Sequence, residues 1–565
     1  MLYVALATDY DGTLAQDGCA DPATIDALTR LKAAGKRLLL VTGREVPSIK
    51  EALTAIDLFD VVVAENGAVL YFPKQREERA LAAAPSEAFV KALKEKGVAP
   101  LSVGHCIVAT WTPNEHAVLQ TIRELGLEWQ VIFNKGAVMC LPPGVNKATG
   151  LAAALEALNL SAINTVGIGD AENDQAFLSV CGCSVAVANA LESVKKTADI
   201  TTAGDHGRGV EELIDRWLGD SSNTFGEIRR HDLYLGDSSD GGKVALRPDR
   251  GAILITGSSG AGKSRLTTLL VERLVEGRYQ ILIVDPEGDY GELEHFTHLG
   301  DVKRTAAAQE VCDALKAPQV NVVANLLATD LAQRPDYFKA LLGLLGGLHA
   351  NSGRPHWLVL DEAHHLLPKV DERSEFTSDG PCTVFVAAEP ENLSRAALDA
   401  VGTIIAVGAQ ANQAIASYAR LAEIAAPAAA PIPSNDQVLV WTRDGNVAVI
   451  NIGKSKQQHQ RHTRKYAEGR LGEDISFYFR GPDNALNLRA YNLASFLELG
   501  KGVDDATWQF HLKRRDYSRW FRDIIKDDGL ADEAQSAESL DDSAQSRAAL
   551  TEAIKKRYVV SAIDH

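Results

Sequence analysis

Two carboxylates separated by one residue follow an apolar stretch near the start of the chain. Asp9 and Asp11 come directly after residues 4–8, and a glycine and a threonine follow them. Two acids at the end of a buried strand are costly unless a cation or a reaction stabilises their charges. A calcium loop of the EF-hand type is excluded, because Thr13 and Leu14 occupy its fifth and sixth positions. An acidic turn closing an ordinary strand is the alternative without chemistry.

Three further groups of polar residues follow, each at a predicted strand end or helix start. Thr42 and Arg44 come after the apolar residues 38–41, and Lys147 opens a helix. A third apolar strand, 166–169, runs into an acidic loop whose polar members are Asp170, Asn173 and Asp174. Taken with the paired carboxylates, this order resembles the haloacid dehalogenase (HAD) phosphohydrolase superfamily. Within it, the chain is similar to the Cof-type and sugar-phosphate phosphatase branch.

The resemblance implies a role for each of these side chains. Asp9 would attack phosphorus and form an aspartyl-phosphate, while Asp11 would protonate the leaving alcohol and later deprotonate water. Mg²⁺ would be the cofactor that offsets the repulsion between the nucleophile and the phosphate ester. The implied metal-binding set is Asp9, Asp11 through its backbone carbonyl, and Asp170, with Asp174 and Asn173 supporting the metal and its loop. The implied phosphoryl-binding residues are Thr42 and Lys147, with Arg44 and Asn66 as weaker candidates.

A second kind of phosphate chemistry begins after residue 250. An apolar stretch, 252–256, leads into a glycine-rich loop and a predicted helix that runs to about residue 276. The loop matches the Walker A pattern, and its ATP-binding candidates are Gly257, Gly260, Gly262, Lys263 and Ser264. In that pattern, backbone N–H groups surround the phosphates, the lysine neutralises their charge and the serine hydroxyl reaches magnesium. After the apolar strand 357–360, Asp361 would hold magnesium through water, and Glu362 would orient the attacking water as a catalytic residue.

The region 230–450 resembles the HerA/FtsK class of P-loop ATPases. The resemblance is carried by residues 285–290, which read Asp-Pro-Glu-Gly-Asp-Tyr, and by residues 393–405. It implies ATP as a ligand, ATP hydrolysis, and a homo-oligomer, which is a hexamer in that class. One departure bears on it, because Ala388 and Glu389 stand where motors of this class carry a sensor Gln and Arg. The departure argues against a motor but not against nucleotide binding.

The elements that position these residues follow from hydrophobic periodicity. Residues 1–78 predict alternating elements, with strands at 3–8, 37–41 and 59–64 and helices at 23–34 and 46–56. Such alternation predicts a parallel sheet covered by helices, with ligands at the carboxyl ends of the strands. The catalytic candidates of the first site all fall at such ends or at a helix start.

A long insert lies between the second and third polar groups. Its predicted elements are a helix at 87–96, a strand at 102–111, a helix at 114–125, and strands at 128–133 and 137–141. In the resembled family, an insert here is a C2-type cap that closes over the substrate and supplies specificity. Polar cap residues such as His105, Thr110 and Asn134 are equally consistent with substrate contact and with plain surface.

These observations divide the chain into four segments. They are a HAD phosphatase domain at 1–218 with its cap at about 80–142, a polar linker at 219–227, a HerA-like P-loop ATPase domain at 228–455, and a C-terminal region at 456–565. The predicted fold class is α/β. A HAD Rossmann-like core with a small C2 α+β cap precedes a P-loop α/β domain and a mostly helical C-terminal region.

The C-terminal region carries weaker signals. Residues 454–470 are basic, a composition that is usually surface and less often phosphate-binding. Helices are predicted at 484–499 and at 506–525, and the second interleaves aromatic residues with arginines. Such a helix could stack nucleic-acid bases, but one buried aromatic face with a charged back is the favoured interpretation. Residues 527–547 are acidic and serine-rich, which predicts a flexible segment before a final helix.

Composition limits the classes of partner. The formal net charge of −17 argues against a protein that coats nucleic acid through a basic surface. Seven scattered cysteines without a C-x-x-C pair indicate reduced thiols in a cytoplasmic protein. No apolar run approaches the ~20 residues that a membrane-spanning helix needs, so no membrane partner is expected.

The favoured function is a magnesium-dependent phosphomonoester hydrolase of a small phosphorylated metabolite, with a sugar phosphate as the expected substrate. It would be fused to an ATP-binding domain that regulates or assembles it. One alternative is a HerA-like nucleic-acid-processing ATPase whose phosphatase trims ends. Another is a polynucleotide kinase–phosphatase. The Asp361–Glu362 pair and the 285–290 element argue against it, because they are not the motifs expected beside the Walker A loop of such a kinase. Nucleic acid is therefore an open but unfavoured partner.

Overall fold

The computed structural model divides the chain into two compact units. One contains residues 1–232 with 350–353, and the other contains residues 233–349 with 354–565. The structure describes residues 2–557 apart from 135, 240, 259, 370–375, 377–379, 435, 444, 446, 454–470, 472–475, 526 and 541. The basic run predicted at 454–470 therefore lies outside the described residues.

The first unit is built on an eight-stranded sheet. In spatial order its strands are Ile200–Thr201, Cys183–Ala186, Thr165–Gly169, Ala5–Thr8, Arg37–Val41, Val61–Ala64, Val69–Phe72 and Glu77–Ala80. The first six are parallel, and the last two add an antiparallel edge. The central strands are apolar throughout, as expected when helices cover both faces of a parallel sheet. The predicted α/β core is confirmed.

Helices and short turns connect the strands of this sheet. The α-helices are Pro22–Ala33, Val46–Ala52, Lys147–Ala157, Gln175–Val180, Glu192–Lys195, His206–Gly219 and Ser221–Phe225. The 3₁₀ turns are Ile56–Leu58, Glu65–Gly67, Ala162–Asn164 and Glu172–Asp174, and a small strand pair joins Ala15–Gln16 to Cys19–Ala20. The helix predicted at 46–56 thus ends at Ala52 and gives way to a separate 3₁₀ turn.

The insert forms a separate α+β layer, as the cap prediction required. Its antiparallel sheet has the order Gln130–Asn134, Ala137–Leu141, Val108–Trp111 and Ser102–Val103, and its helices are Glu87–Glu95 and Glu115–Glu124. Phe89, Leu93 and Val118 pack with Val108 and Cys140 in its own small apolar core. The strand predicted at 102–111 is in fact interrupted by a loop at 104–107.

The segment predicted as a linker at 219–227 contains a short helix. Residues Ser221–Phe225 form a helix whose first turn is capped by the Asp220 carboxylate, which accepts the N–H of Asn223. Phe225 is buried and lies 4.6 Å from the ring of Tyr3 and 5.4 Å from that of Trp217. Polar composition predicted a loop, but one aromatic residue is enough to pack the segment onto the first unit.

The second unit contains an eleven-stranded mixed sheet. Its order is Lys243–Leu246, Leu233–Ser238, Val447–Asn451, Gln437–Thr442, Val401–Val407, Ala252–Thr256, Cys382–Ala387, Trp357–Leu360, Ile281–Asp285, Asn321–Asn325 and Phe296–Leu299. The seven strands from Val401–Val407 onward are parallel. The associated helices are Lys263–Glu276, Ala308–Ala314, Arg334–Ser352, Arg395–Ala400 and Ala411–Leu421, with 3₁₀ turns at Leu331–Gln333, Ala363–His365 and Pro390–Asn392.

The C-terminal region is mostly helical, as predicted, but its boundaries differ. A two-stranded sheet, Phe477–Phe479 with Leu488–Ala490, and a 3₁₀ turn at Pro482–Asn484 replace the first part of the helix predicted at 484–499. The helical segments are Leu493–Gly502, Asp505–Lys513, Asp516–Trp520, the π-helical Phe521–Ile525, Asp528–Ala537 and Ser543–Arg557. Arg515, with φ 55°, breaks the predicted helix 506–525 in two.

Two predictions for this region have clear outcomes. The aromatic residues Trp508, Tyr517, Trp520 and Phe521 are buried together, so the interpretation as a buried face is confirmed. The flexible segment predicted at 527–547 is wrong, because most of it is helical. Small apolar residues at helical spacing, which are Leu530, Ala531, Ala534 and Ala537, bury one face of Asp528–Ala537 against the same core.

No helix in the part of the chain that the structure describes is long and apolar enough to cross a membrane.

Candidate active site and candidate nucleotide site

Parallel register brings the acidic residues of the first site to one edge of the sheet. Thr8 lies opposite Leu40 on one neighbouring strand and Ile168 on the other. The next residue, Asp9, donates its backbone N–H to the carbonyl of Ile168 at 3.0 Å. The residues just beyond these strands, Thr42 and Asp170, are therefore at the same edge, as the strand-end prediction required.

Lys147 enters this edge from the start of a helix. Asn146 caps the helix, because its side-chain oxygen accepts the N–H groups of Ala148 and Thr149. The buried Nζ of Lys147 lies 2.6 Å from Oδ1 of Asp9 and 2.6 Å from Oδ1 of Asp174. The helix N-cap at Asn146 thus fixes the ammonium group of Lys147 between two buried carboxylates.

Three carboxylates converge at this point. One oxygen each of Asp9, Asp170 and Asp174 lies within 4.8 Å of the others. Asp174 is oriented by its second oxygen, which accepts the backbone N–H groups of Asp170 and Ala171, both at 2.9 Å. Thr13 donates its hydroxyl to Asp170 at 3.1 Å.

The charges of this cluster are not balanced by Lys147 alone. Burial and the neighbouring charge of Asp174 raise the pKa of Asp9 to about 8. Burial disfavours charged Lys147, but the carboxylates of Asp174 and Asp9 outweigh it and raise the pKa of the lysine. Oxygen-only donors carrying excess negative charge are the set that Mg²⁺ prefers.

The acidic loop that carries Asp170 and Asp174 also contains a buried amide oxygen, that of Asn173. Asn173 donates its side-chain N–H to Oδ1 of Asn66 at 3.2 Å. Its own Oδ1 is buried and has no hydrogen-bond partner among the residues that the structure describes. Burying such an oxygen unsatisfied is costly, so a ligand at this position is expected. The residues present therefore fit a hard divalent cation.

Asp11 is not part of this carboxylate cluster. Arg44 forms a bidentate ion pair with Asp11, in which Nε donates to Oδ2 at 2.7 Å and Nη2 donates to Oδ1 at 2.6 Å. The same guanidinium lies 5.1 Å from the centre of the Tyr10 ring. Arg44 was predicted only as a weaker candidate for phosphoryl binding, and its pairing with Asp11 was not predicted.

The remaining candidates of the first unit have mixed positions. Thr42 is fully buried, and its hydroxyl oxygen accepts the N–H of Arg44 at 3.2 Å. In the cap, Thr110 donates its hydroxyl to the carbonyl of Pro100, so it is committed to the cap's own structure. His105 lies 3.0 Å from Glu78 on the core sheet edge. The side chain of Asn134 lies outside what the structure describes.

The glycine-rich loop of the second unit lies between a strand and a helix, as predicted. Gly262, with φ 103°, precedes the helix Lys263–Glu276. Lys263 donates its Nζ to the carbonyl of Gly257 at 2.9 Å. The Oγ of Ser264 is buried without a hydrogen-bond partner among the described residues. The other loop glycines, Gly257 and Gly260, also have positive φ values, of 151° and 79°.

Strand order places the predicted partners of this loop beside it. Thr256 pairs with Ala387, and Phe385 of the same strand pairs with Leu360. Asp361 therefore follows the end of a strand that is separated from the loop's strand by one intervening strand, and its side chain is fully buried. Glu362 has φ 40°, and its Oε2 lies 3.5 Å from Nδ1 of His364. The residue types fit a magnesium-bound nucleotide, which needs an unsatisfied hydroxyl and a nearby carboxylate.

The 285–290 element has a structural role that the sequence did not reveal. One oxygen of Asp285 accepts the backbone N–H groups of Glu287, Gly288 and Asp289, and the other accepts that of Tyr290. Burial and the charge of Asp289 nevertheless raise the pKa of Asp285 to about 7. Asp285 thus stabilises the turn formed by residues 285–290.

Sequence reasoning also missed residues that organise the first site. Thr13, which orients Asp170, was quoted only as part of a motif. Glu65 was not selected, although it is a charged residue directly after the apolar stretch 61–64 and is fully buried. An acid before Asn-Gly at a strand end is a usable signal, but it resembles an ordinary turn.

Comparisons with known proteins agree with these two sites. The model of the haloacid dehalogenase-like hydrolases matches residues 6–121 and 115–214, and that of the helicase HerA central domain matches residues 244–380. A phosphoglycolate phosphatase of Methanothermobacter thermautotrophicus is 30% identical over 225 residues, which cover 38% of this chain and 99% of the relative. A phosphoglycolate phosphatase of Halorubrum lacusprofundi is 31% identical over 219 residues, which cover 37% and 95%.

Solved structures cover a similar share of the chain. A haloacid dehalogenase-like hydrolase of Bacteroides thetaiotaomicron has 21% identity and a TM-score of 0.34, covering 38% of this chain and 99% of that one. The residues that match the hydrolase model lie within the first unit, and those that match the HerA model lie within the second unit apart from 350–353. In its N-terminal part the chain belongs to the haloacid dehalogenase-like hydrolases, and it joins this hydrolase to a HerA-type central domain.

Proposed function

We propose that the first unit is a magnesium-dependent hydrolase of small phosphate monoesters that acts through an aspartyl-phosphate. The observation that carries this proposal is the position of Lys147, within 2.6 Å of both Asp9 and Asp174 in a buried cluster of three acids. A lone cation facing an excess of buried carboxylates is a site prepared for further positive charge and for a reacting phosphate.

The chemistry assigns a separate task to each residue. An oxygen of Asp9 attacks phosphorus, the bond from phosphorus to the ester oxygen breaks, and the alcohol leaves with a proton from Asp11. Water then attacks the aspartyl-phosphate, Asp11 takes its proton, and phosphate leaves while Asp9 is regenerated. Thr42 and Lys147 hold the phosphoryl oxygens. A bound Mg²⁺, held by Asp9, Asp170 and the backbone carbonyl of Asp11, would neutralise charge on the phosphoryl group.

The Arg44–Asp11 pair adds a condition to this scheme. Both carboxylate oxygens of Asp11 accept hydrogen bonds from Arg44. A leaving alcohol must therefore share one of these oxygens with Arg44 or displace the guanidinium from it. Arg44 is therefore a positioning residue in the proposed reaction.

The substrate class is the finer part of the proposal. The sequence interpretation favours a sugar phosphate, whereas the relatives that match this unit are named phosphoglycolate phosphatases. Both are small phosphate monoesters and both require the same attack by Asp9. Phosphoglycolate therefore stands beside sugar phosphates as a candidate substrate.

The test is phosphate release from a substrate panel in the presence of Mg²⁺. The panel contains sugar phosphates, phosphoglycolate, nucleotides and 3′-phosphorylated oligonucleotides, and the variants are Asp9→Asn and Lys263→Ala. We expect a small metabolite to be the best substrate and only Asp9→Asn to abolish release. Preference for oligonucleotides, or loss of release in Lys263→Ala, would favour a nucleic-acid machine instead.

We also propose that the second unit binds ATP with Mg²⁺, with hydrolysis as its expected activity. Supporting this, the Ser264 hydroxyl is buried without a partner among the described residues, next to a lysine held by its own loop. Calorimetric titration with ATP and Mg²⁺ tests binding, with Lys263→Ala as the variant and Lys316→Ala as a surface-lysine control that only pairs with Asp313. ATP binding that persists unchanged in Lys263→Ala would contradict the assignment.

Three further measurements separate the alternatives for the second unit. ATP turnover stimulated by DNA would support a nucleic-acid-processing ATPase. Phosphate transfer to a 5′ hydroxyl would support a kinase. A light-scattering mass tests the hexamer that the HerA resemblance implies, and a monomer would contradict it.

A further inference from the structure

Glu65 places a fully buried carboxylate between the core of the first unit and its cap. It follows the strand Val61–Ala64, and its two oxygens accept three backbone N–H groups from the cap loop 104–107. His105 donates to Oε1 at 2.8 Å, while Cys106 and Ile107 donate to Oε2 at 2.9 and 3.2 Å. Hydrogen bonds to an ionised, buried acceptor are among the stronger ones in proteins.

The cap loop fits this carboxylate closely. A Cβ added to Gly104 would lie 2.7 Å from Oε1 of Glu65 and 2.8 Å from its Oε2. No residue other than glycine can occupy that position without moving the carboxylate or the loop. The contact between Glu65 and the loop 104–107 is therefore a closely packed joint between the core and the cap.

The backbone of the same residue is tied to the proposed active site. Glu65 donates its N–H to the carbonyl of Arg44 at 2.9 Å, and Asn66 donates its N–H to the carbonyl of Thr42 at 3.1 Å. Both Glu65 and Asn66 have left-handed backbone conformations, with φ 51° and 54°. Such conformations are unfavourable for residues other than glycine and persist only where surrounding contacts hold them.

Asn66 extends the joint in two more directions. Its Oδ1 accepts from Asn173 in the acidic loop at 3.2 Å, and its Nδ2 lies 2.9 Å from the sulfur of Met139 in a cap strand. Residues 65–66 thus contact the phosphoryl-binding strand end, the acidic loop and the cap at once.

We infer that Glu65 is a positioning residue of the proposed phosphatase, whose carboxylate fixes the cap loop 104–107 relative to the strand end that carries Thr42 and Arg44. The inference rests on the proposed function and deepens it. Because the cap supplies the groups that distinguish substrates, loosening it weakens selection. The attack by Asp9 depends on residues of the core alone, so we expect its rate to be unaffected when the cap loop is loosened.

The kinetic test compares Glu65→Gln with a matched control, Glu212→Gln. Glu212 also accepts two backbone N–H groups, from Ala203 and Gly204 at 2.8 and 2.9 Å, but these residues lie outside the cap. A glutamine offers one acceptor oxygen where the carboxylate uses two. The readout is kcat and KM for the best substrate of the panel and for p-nitrophenyl phosphate, a small ester with few groups for a cap to recognise.

For Glu65→Gln we expect KM of the best substrate to rise about tenfold, as loss of one charge-assisted interaction allows. The kcat for p-nitrophenyl phosphate stays within about threefold, since the core chemistry is intact. The control changes neither. An unchanged ratio of kcat/KM between the two substrates in Glu65→Gln would overturn the inference and leave Glu65 a structural anchor.

Hydrogen exchange gives a second readout that does not depend on activity. The amides of His105, Cys106 and Ile107 should exchange faster in Glu65→Gln and remain protected in Glu212→Gln. Unchanged protection would contradict the inference. A wild-type protein without phosphomonoesterase activity would instead refute the proposed function, while exchange would still report on the joint.

A second variant covers the case in which Glu65→Gln does not fold. Gly104→Ala presses a methyl group against the carboxylate from the cap side, and Gly219→Ala is its control, because no atom lies within 4 Å of a Cβ there. The same rise in KM and the same faster exchange are expected for Gly104→Ala only. Wild-type kinetics and protection in a folded Gly104→Ala would count against the inference.

Discussion

The two phosphate sites of this chain each contain one buried lysine, and the two lysines are held differently. Lys147 bridges Asp9 and Asp174, with both contacts at 2.6 Å. Lys263 donates instead to a neutral carbonyl, that of Gly257 in its own loop, at 2.9 Å. Both side chains are nearly inaccessible to solvent.

The difference indicates what each site is prepared to bind. At the first site the fixed lysine leaves negative charge in excess, an arrangement that favours binding of a cation together with a phosphate group. At the second site the lysine donates to a carbonyl of its own loop, and the strand–loop–helix arrangement presents backbone N–H groups to an anion. The proposed reaction at the first site depends on carboxylates, and the proposed nucleotide binding at the second site depends on a loop.

The largest expected effect separates the two lysines by activity. Lys147→Met keeps the apolar stem but removes the charge between Asp9 and Asp174, so phosphate release should fall about 10²–10³-fold, as for loss of one transition-state donor. ATP affinity measured by calorimetry should not change. Lys195→Met, which only breaks a surface pair with Glu192, serves as the control. Loss of ATP binding in Lys147→Met would mean that the sites are not independent.

Glycines at the two sites should differ in their effect on stability. A Cβ on Gly67 would lie 2.0 Å from the carbonyl oxygen of Asn146, which caps the helix of Lys147, whereas one on Gly262 would meet no atom within 4 Å. Gly67→Ala should therefore lower the free energy of unfolding of the first unit by roughly 2–4 kcal/mol, from strain and overpacking together. Gly262→Ala adds only backbone strain. Amide exchange of the strand Ala5–Thr8 measures the first effect, and equal protection in Gly67→Ala and wild type would contradict it.

Removal of the loop lysine, Lys263, should weaken ATP binding and leave phosphate release unchanged, which is the reverse of the result expected for Lys147→Met and a smaller effect. Lys263→Met removes a charge-assisted contact with nucleotide and should weaken ATP binding roughly 10- to 100-fold. Phosphate release from the best small substrate should stay at the wild-type rate. Calorimetry and the phosphate assay on the same preparation measure both quantities, and a slower phosphate release would show that nucleotide binding takes part in the phosphatase cycle.

The smallest expected effect concerns acid stability of the first unit. His231 is buried against Tyr3, and burial together with the nearby N-terminal charge lowers its pKa to about 4. Its unfolded pKa is about 6.5, so the unfolded state binds an extra proton between these values. Stability is full above pH 6.5 and falls by roughly 2 kcal/mol as the pH drops to about 5. His231→Gln should flatten this dependence when the urea midpoint of the first unit is followed by proteolysis, and an unchanged slope would exclude His231.

Strand ends and motif order were enough to predict the first site. Asp9, Thr42 and Asp170 each follow an apolar strand, and parallel register necessarily brings such positions to one edge. The glycine-rich loop was predictable for the same reason, since it has a strand before it and a helix after it.

Features that depend on long-range packing were not predictable. The Arg44–Asp11 pair joins residues 33 positions apart, and the three hydrogen bonds to Glu65 come from residues about 40 positions away. Nothing in local composition encodes either contact. Helices within 219–227 and 527–547 were not predicted, because polar composition indicated a linker and a flexible segment and outweighed single buried residues such as Phe225 and Leu530. Tertiary packing overrode the local signal in both places.

The account depends most on Asp9 as the nucleophile, and acid-quenched trapping with ³²P-labelled substrate tests this directly. We predict a covalent phosphate that is stable to acid, labile to base, located on the peptide containing Asp9, absent from Asp9→Asn and unchanged in Lys263→Ala. Rapid phosphate release in Asp9→Asn, or label on another residue, would contradict the account.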